Sequence, residues 1–251
     1  MSQTRSKSTW YKDWFGEDYL KVYPHRNEAE AKQQIDFVVK TLKLPVSYRL
    51  LDLGCGGGRH ARELSSRGYQ VICLDLSFVL LNIAQKNSGI ENCCLRFVRA
   101  DMRHIPFRTV FDAVLSFFTT FGYFETDAEN LQTWLNIQNV LKPGGQFFQD
   151  YINKSYVIDH LVPFDTKTGN GFTLTQERFY NQAEERIEKK ITIETDGGVR
   201  EYFESVRLYT LEEMRTFLAD TELELEATFG DFDGRAFTEK SPRLLLTGRR
   251  K

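Results

Sequence analysis

Two aspartates and a run of glycines are spaced to grip a small, positively charged ligand. The run is Leu51-Asp52-Leu53-Gly54-Cys55-Gly56-Gly57-Gly58-Arg59-His60. Glycine accepts positive φ in a tight turn and lets backbone approach a ligand with no Cβ in the way. A dinucleotide fingerprint reads G-x-G-x-x-G and seats a pyrophosphate on a helix N-terminus. Here Arg59 replaces the third glycine, and Asp52 stands two residues before the first. A carboxylate at that point repels a pyrophosphate and suits an ammonium or a sulfonium. Asp75 follows the apolar stretch Gln70 to Leu74, where the ribose-binding acid of nucleotide folds belongs. Glycines that serve only turn geometry are the alternative. The joint occurrence of the turn and the second acid argues against it.

These residues need a frame. Tyr48 to Leu53 reads as a short buried strand, Ala61 to Arg67 as the body of a helix, and Gly68 as its stop. Strand, glycine turn and helix make the first unit of a nucleotide-binding α/β fold. Ser77 caps a helix to about Asn87, with Gly89 beyond it. Leu95 to Ala100 and Phe111 to Phe117 are the third and fourth strands. A helix over Asp127 to Leu141 leads through Pro143-Gly144-Gly145 into a fifth strand, Gln146 to Ile152. Strands alternating with helices imply a doubly wound, mostly parallel sheet with ligands at the carboxyl ends of its strands. That rule puts Gly54 to Gly58, Asp75, Asp101, Phe117 to Tyr123 and Tyr151 to Asn153 on one rim.

The motifs together resemble those of class I S-adenosylmethionine-dependent methyltransferases over about the first three-fifths of the chain. Leu51 to Gly58 resembles their first motif. Asp75 matches their ribose-binding acid, and Ala100-Asp101-Met102 resembles the segment that contacts adenine. Phe111-Asp112-Ala113-Val114 resembles the fourth strand, and Leu141-Lys142-Pro143-Gly144-Gly145 the turn into the fifth. The resemblance implies a seven-stranded Rossmann-like sheet whose last strand is antiparallel. It implies S-adenosylmethionine as cofactor, with S-adenosylhomocysteine as product. The residues expected at the cofactor are Tyr23, Arg26, Asp52, Gly54, Cys55, Gly56, Asp75, Leu76, Asp101, Met102 and Phe117.

Both ends of the chain depart from a bare core. Trp10 to Tyr23 is rich in aromatics, and Arg26 to Leu44 has a helical pattern with Asn27 as a possible cap. Residues 1–44 therefore read either as helices packed on the sheet or as a cap over the cofactor, with Tyr11, Tyr19, Tyr23 and Arg26 within reach of its methionine end. After Leu161, Gly171 to Tyr180, Arg186 to Thr195 and Val199 to Tyr209 alternate apolar and polar residues with no helix between them. Asp196-Gly197-Gly198 is a hairpin signal. Residues 163–210 should thus form an antiparallel insertion that covers the pocket or makes a subunit contact. Thr210 to Glu213 opens a helix with a capping box, and Glu222 to Phe229 and Arg243 to Gly248 close the core. The insertion is similar to that of glycine N-methyltransferase and of the amino-sugar N,N-dimethyltransferases. Where the sugar enzymes tend to carry a histidine after the strand-four glycine, this chain has Tyr123.

Composition narrows the partners. The formal net charge of this 251-residue chain is -2, so there is no overall basic field for nucleic acid. No apolar run is long enough to span a membrane, and Met1 to Trp10 is polar, which reads as cytoplasmic. The four cysteines, Cys55, Cys73, Cys93 and Cys94, show no C-x-x-C spacing and read as reduced thiols. One methyltransferase domain spanning residues 1–251, as monomer or homodimer, is the expected organisation.

Methyl transfer needs a nucleophile's lone pair held in line with the S–CH3 bond. A neutral amine needs only to lose its proton, whereas a hydroxyl needs a general base. None of the histidines is an obvious base, which slightly favours an amine; the resemblance implies a small-molecule acceptor methylated on nitrogen or oxygen, and Tyr123 and Tyr151 are the candidates to contact it. Plain rim packing is the other reading of these two tyrosines. Arg178, Arg207 and Arg243 read as solvated, or as an anion site if two converge. Three other functions compete. A nucleic-acid or protein methyltransferase is one, but Ser116-Phe117-Phe118-Thr119-Thr120 lacks the Pro-Pro-aromatic signature of base methylation. A non-catalytic cofactor-binding module is the second. A dinucleotide oxidoreductase is the third, and Asp52 and Arg59 speak against it.

Overall fold

The computed structural model describes residues 9–23, 27–89, 94–169 and 171–251. His25, Arg26 and Cys93 lie outside the described residues.

Seven strands make the central sheet: β1 Arg49–Leu53, β2 Gln70–Asp75, β3 Leu95–Arg99, β4 Phe111–Ser116, β5 Leu141–Ile152, β10 Leu223–Phe229 and β11 Arg243–Arg250. Their order is β10-β11-β5-β4-β1-β2-β3. Strands β1 to β5 pair in parallel, while β11 runs antiparallel to both β5 and β10. The helices are α1 Trp10–Trp14, α2 Glu17–Val22, α3 Glu28–Leu42, α4 Arg59–Ser66, α5 Phe78–Asn87, α6 Asp127–Val140, α7 Lys154–Asp159 and α8 Leu211–Ala219.

Side-chain alternation divides the core. Along β1, Leu50 joins Ile35 and Val38 of α3 and Leu64 of α4 on one face. Leu51 and Leu53 join Trp134 and Ile137 of α6 and Met214 and Leu218 of α8 on the other. Helices on both faces are what a doubly wound sheet requires. Asp52 points to the α3–α4 side with Leu50, and is 1% exposed. Its burial follows from the alternation.

Caps fix the helix starts. Asn27 accepts from Glu30 N, and Ser77 accepts from Leu80 N. Thr126 and Thr210 each form a full capping box, with Glu129 and Glu213. The fifth strand differs from expectation. Its ladder begins at Leu141, opposite Phe111, and the register shifts before Ala113. The Pro143-Gly144-Gly145 segment is absorbed as a bulge inside the strand. Proline donates no N–H to a ladder, and Gly144 takes φ 74.

A second, antiparallel sheet has the order β6-β7-β8-β9: β6 Phe164–Gly169, β7 Phe172–Asn181, β8 Arg186–Thr195 and β9 Gly198–Arg207. The turn after Thr195 closes on Gly198, at φ 122. Sequence reasoning missed β6 and α7, both six residues long. Leu174, Ile191 and Ile193 of this sheet pack against Trp10, Tyr11, Trp14 and Val22. The aromatic N-terminal segment is thereby laid along the insertion. Polar staples hold it there. Trp14 Nε1 donates to Glu204 Oε1 at 2.5 Å, and Tyr23 OH donates to the same oxygen at 2.8 Å. Asp18 accepts from Arg200 Nε at 2.7 Å and Tyr202 OH at 2.8 Å. No helix among the described residues is long and apolar enough to cross a membrane.

Candidate active site

At the carboxyl end of β1 the backbone folds tightly over β2. Gly54 N and Cys55 N both donate to Leu74 O, at 2.8 and 3.1 Å. Gly54 has φ 73, and a Cβ there would sit 2.5 Å from Thr120 Cγ2. Gly58 has φ 74 and would bring a Cβ to 2.8 Å from that of Ala84. Both positions therefore demand glycine, once for conformation and once for space. The third-glycine place taken by Arg59 is the first residue of α4.

Asp75 is part of this turn. Its Oδ2 accepts from Gly56 N at 2.8 Å and its Oδ1 from Ser77 N at 2.8 Å. Burial raises its pKa, opposed by those backbone donors. Asp52 is more strained electrostatically. Burial, and then the charge of Asp75, push its carboxyl up to about 7, with Arg59 pulling the other way. Two buried polar atoms beside this turn have no hydrogen-bond partner in the protein: Asp52 Oδ2 and Arg59 Nη2. Once Asp52 is ionised, they carry opposite charge. The rest of the Arg59 guanidinium is held by Glu30 at 2.5 Å and lies 4.3 Å over the Phe118 ring.

The turn opens into a cleft of about 80 Å³ lined by Gly54, Gly56, Asp75, Leu76, Asp101, Met102 and Phe117, with Tyr11, Phe15, Tyr19, Thr120, Tyr123 and Phe124 closing it. A neighbouring space of about 250 Å³ shares Tyr19, Gly54, Gly56, Phe117 and Phe118, and adds Tyr23, Cys55 and Arg59. Most of the residues expected at the cofactor thus meet around two adjoining spaces. Tyr123 stacks on Phe15 with centroids 5.7 Å apart and meets Trp10 edge-on at 4.9 Å. Asp101 accepts from Arg103 Nε at 3.1 Å and Nη2 at 2.7 Å. Burial works against its charge, but Arg103 outweighs this and holds the carboxyl low.

Tyr151 is elsewhere. It is fully buried and lines neither space. Its hydroxyl donates to Arg207 O and accepts from Tyr209 N at 3.3 Å. It pins the end of β9 to β5, so the expectation of an acceptor contact gives way to a structural role. The three arginines are also corrected. Arg178 pairs with Asp165 at 2.6 Å, Arg207 with Glu185 at 2.6 Å, and Arg243 with Asp150 at 2.5 Å. None is simply solvated, and they do not converge on one site.

Sequence reasoning missed the turn after β4. Phe118 and Thr119 both have φ 57, a costly conformation for non-glycine residues. Asp150 holds it, accepting from Phe118 N through Oδ2 at 2.8 Å and from Thr119 N through its backbone carbonyl at 3.0 Å. Arg243 Nη2 donates to Thr119 Oγ1 at 2.9 Å. His60 has a structural place. Its ring stacks on Phe117 at 3.9 Å and donates from Nε2 to Gln34 Oε1 at 2.7 Å. Burial, with Arg59 and Arg62 nearby, keeps that ring neutral.

Sheet order, glycine turn and acid at the end of β2 define a class I methyltransferase core. Comparison with known proteins agrees. Residues 50–145 match the family model for the methyltransferase domain. The dTDP-3-amino-3,4,6-trideoxy-alpha-D-glucopyranose N,N-dimethyltransferase of Streptomyces venezuelae is 29% identical over 190 residues, covering 73% of this chain and 76% of its own. Solved structures share the fold, among them two methyltransferases. An S-adenosylmethionine-dependent methyltransferase from Clostridium acetobutylicum ATCC 824 superposes with a TM-score of 0.81 at 17% identity, over 93% of this chain and 98% of its own. An S-adenosylmethionine-bound amino pentose methyltransferase from Micromonospora echinaspora gives 0.67 at 23% identity, over 94% and 97%. The chain is an S-adenosylmethionine-dependent methyltransferase.

Proposed function

We propose that this enzyme methylates a small-molecule acceptor, on nitrogen in preference to oxygen. The enclosure of the site carries the reading. Aromatic side chains of the N-terminal helices and of the loop after β4 wall the cleft, and the N-terminal helices are themselves stapled to the insertion. Such a space suits a ligand held by apolar contact and oriented by a few hydrogen bonds, and leaves no room for a duplex. Relatives named for amino sugars support the preference for nitrogen. A cytoplasmic single-domain enzyme, acting as monomer or homodimer on neither nucleic acid nor membrane, completes the proposal.

The residues present fit the cofactor. Asp75 would take the two ribose hydroxyls. Asp101 and the Met102 backbone would take the adenine, against Leu76. The orphaned pair beside the glycine turn suits an amino-acid end: Asp52 for its ammonium, with Gly54, Cys55 and Gly56 around it, and Arg59 Nη2 for its carboxylate. Phe117, fixed by His60, and Tyr23 would flank that end. When bound, the cofactor supplies a methyl group on a positively charged sulfur, already activated toward displacement. The protein then has to bind, orient and exclude water. Tyr123 would orient the acceptor.

Methyl transfer from labelled S-adenosylmethionine to pooled small amines and alcohols tests the reading. Labelled amines are expected. Labelling of duplex DNA with no small molecule labelled would overturn it.

A further inference from the structure

The inner face of the insertion sheet carries charge where its neighbours are apolar. Along β8 the side chains on that face are Ile187, Lys189, Ile191 and Ile193. Lys189 is 7% exposed, whereas Lys190, on the other face, is exposed. Burying an ammonium costs free energy that another isoleucine would not. The position faces a cavity and not packed core. That cavity measures about 340 Å³, and its polar wall is Lys167, Gln176, Arg178, Lys189, Glu204 and Tyr23. Ile152 and Val157, from the end of β5 and from α7, form the opposite side. Three cations face one carboxylate across it. Asp165, which pairs with Arg178 at 2.6 Å and accepts from Gln176 Nε2 at 3.0 Å, is the next carboxylate.

Among the described residues, Tyr23 is the one lining residue that this cavity shares with the space of about 250 Å³ beside the glycine turn. Tyr23 belongs to both walls, and on its other side stand Gly54 to Gly57, Phe117 and Phe118. Lys189 Nζ donates to Tyr23 OH at 2.7 Å, lies 4.6 Å from the ring centroid, and is 3.9 Å from Glu204 Oε2. Tyr23 thus links Lys189 to the space beside the glycine turn.

We propose that this cavity binds an anionic group of the methyl acceptor, a carboxylate or a phosphate, through Lys189 and Arg178. The inference rests on the small-molecule reading above and narrows its substrate class to amines that carry such a group. Charge-assisted bonds from a guanidinium fork and a buried ammonium are strong and directional. They would set the acceptor's orientation with the amine pointing past Tyr23. Gln176 would add a neutral donor.

The probes are inorganic phosphate and acetate, titrated calorimetrically into the full chain saturated with S-adenosylhomocysteine. One probe should bind saturably at millimolar concentration, and the tighter of the two names the group. Lys189→Met and Arg178→Met should each weaken it at least tenfold and leave S-adenosylhomocysteine affinity within twofold. Lys167→Glu, on an exposed rim position, should weaken it at least fivefold and serves should Lys189→Met or Arg178→Met fail to fold. Absence of saturable binding by both probes, or equal binding by folded variants, overturns the assignment. Methyl transfer to paired amines with and without a carboxylate or phosphate separates the two levels. Transfer without preference for the anionic member sinks this assignment alone. Transfer to no small molecule contradicts the underlying reading, and this assignment with it.

Discussion

Arg243→Met should unfold the enzyme's most strained turn as well as break an ion pair. Asp150 is 1% exposed, while the Arg243 side chain is 23% exposed. Removing one partner of a buried pair costs about 3–5 kcal/mol, because the other charge stays buried. Water reaches Arg243, so the lower end, about 3 kcal/mol, applies. Asp150 also holds Phe118 and Thr119 at φ 57, a conformation that costs ~1–3 kcal/mol per residue unless its surroundings enforce it. Phe118 lines the cleft, so cofactor affinity should fall with stability. Urea unfolding, extrapolated to water, measures the first effect and calorimetry the second. Asp150→Asn/Arg243→Met should recover part of the loss, since no unpaired charge remains buried. A loss below about 1 kcal/mol in Arg243→Met, or a double variant as unstable as the two single losses added, would refute the role given to this pair.

Three further outcomes follow from the site. Asp52 holds its proton up to about 7 in the folded state, against 3.8 when free, so between those values the folded chain binds more protons. Stability should fall as pH rises through that window and cofactor affinity should rise through about 7. Asp52→Asn should flatten both profiles, and a flat wild-type profile speaks against the reading. Tyr151→Phe leaves Arg207 O and Tyr209 N short of a partner and should cost about 1–3 kcal/mol with turnover of the folded enzyme unchanged. Lost turnover at full stability would restore Tyr151 to the acceptor. Glu204→Ala removes the acceptor shared by Trp14 and Tyr23, so protease should nick the N-terminal helices faster. Unchanged proteolysis would show that the staples do not hold them.

The central sheet was legible because its signals are local. The glycine turn, the caps at Asn27, Ser77, Thr126 and Thr210, and the period-two runs each sit within a few residues. The Gly197-Gly198 hairpin was equally plain. What escaped depends on long-range contacts. Asp150 and Arg243 lie 93 positions apart, and only the antiparallel placement of β11 on β5 joins them. Tyr151 reads as a rim residue because it follows a strand, yet its hydroxyl is consumed by the end of β9. Lys189 looks like a solvated strand charge until the sheet's inner face is known. Strand β6 carried no apolar alternation, being Phe164-Asp165-Thr166-Lys167-Thr168-Gly169, and is recognised only by pairing with β7.

Calorimetric titration of S-adenosylhomocysteine into wild type and Asp75→Ala tests the cofactor assignment most directly. Each charge-assisted hydrogen bond lost to ribose is worth about 1.5–3 kcal/mol, and a tenfold change in affinity is about 1.4 kcal/mol. The wild type should bind with a saturable heat and ignore NAD, and the variant should bind at least tenfold more weakly. Equal affinity in the two proteins, or tighter binding of NAD, would contradict it.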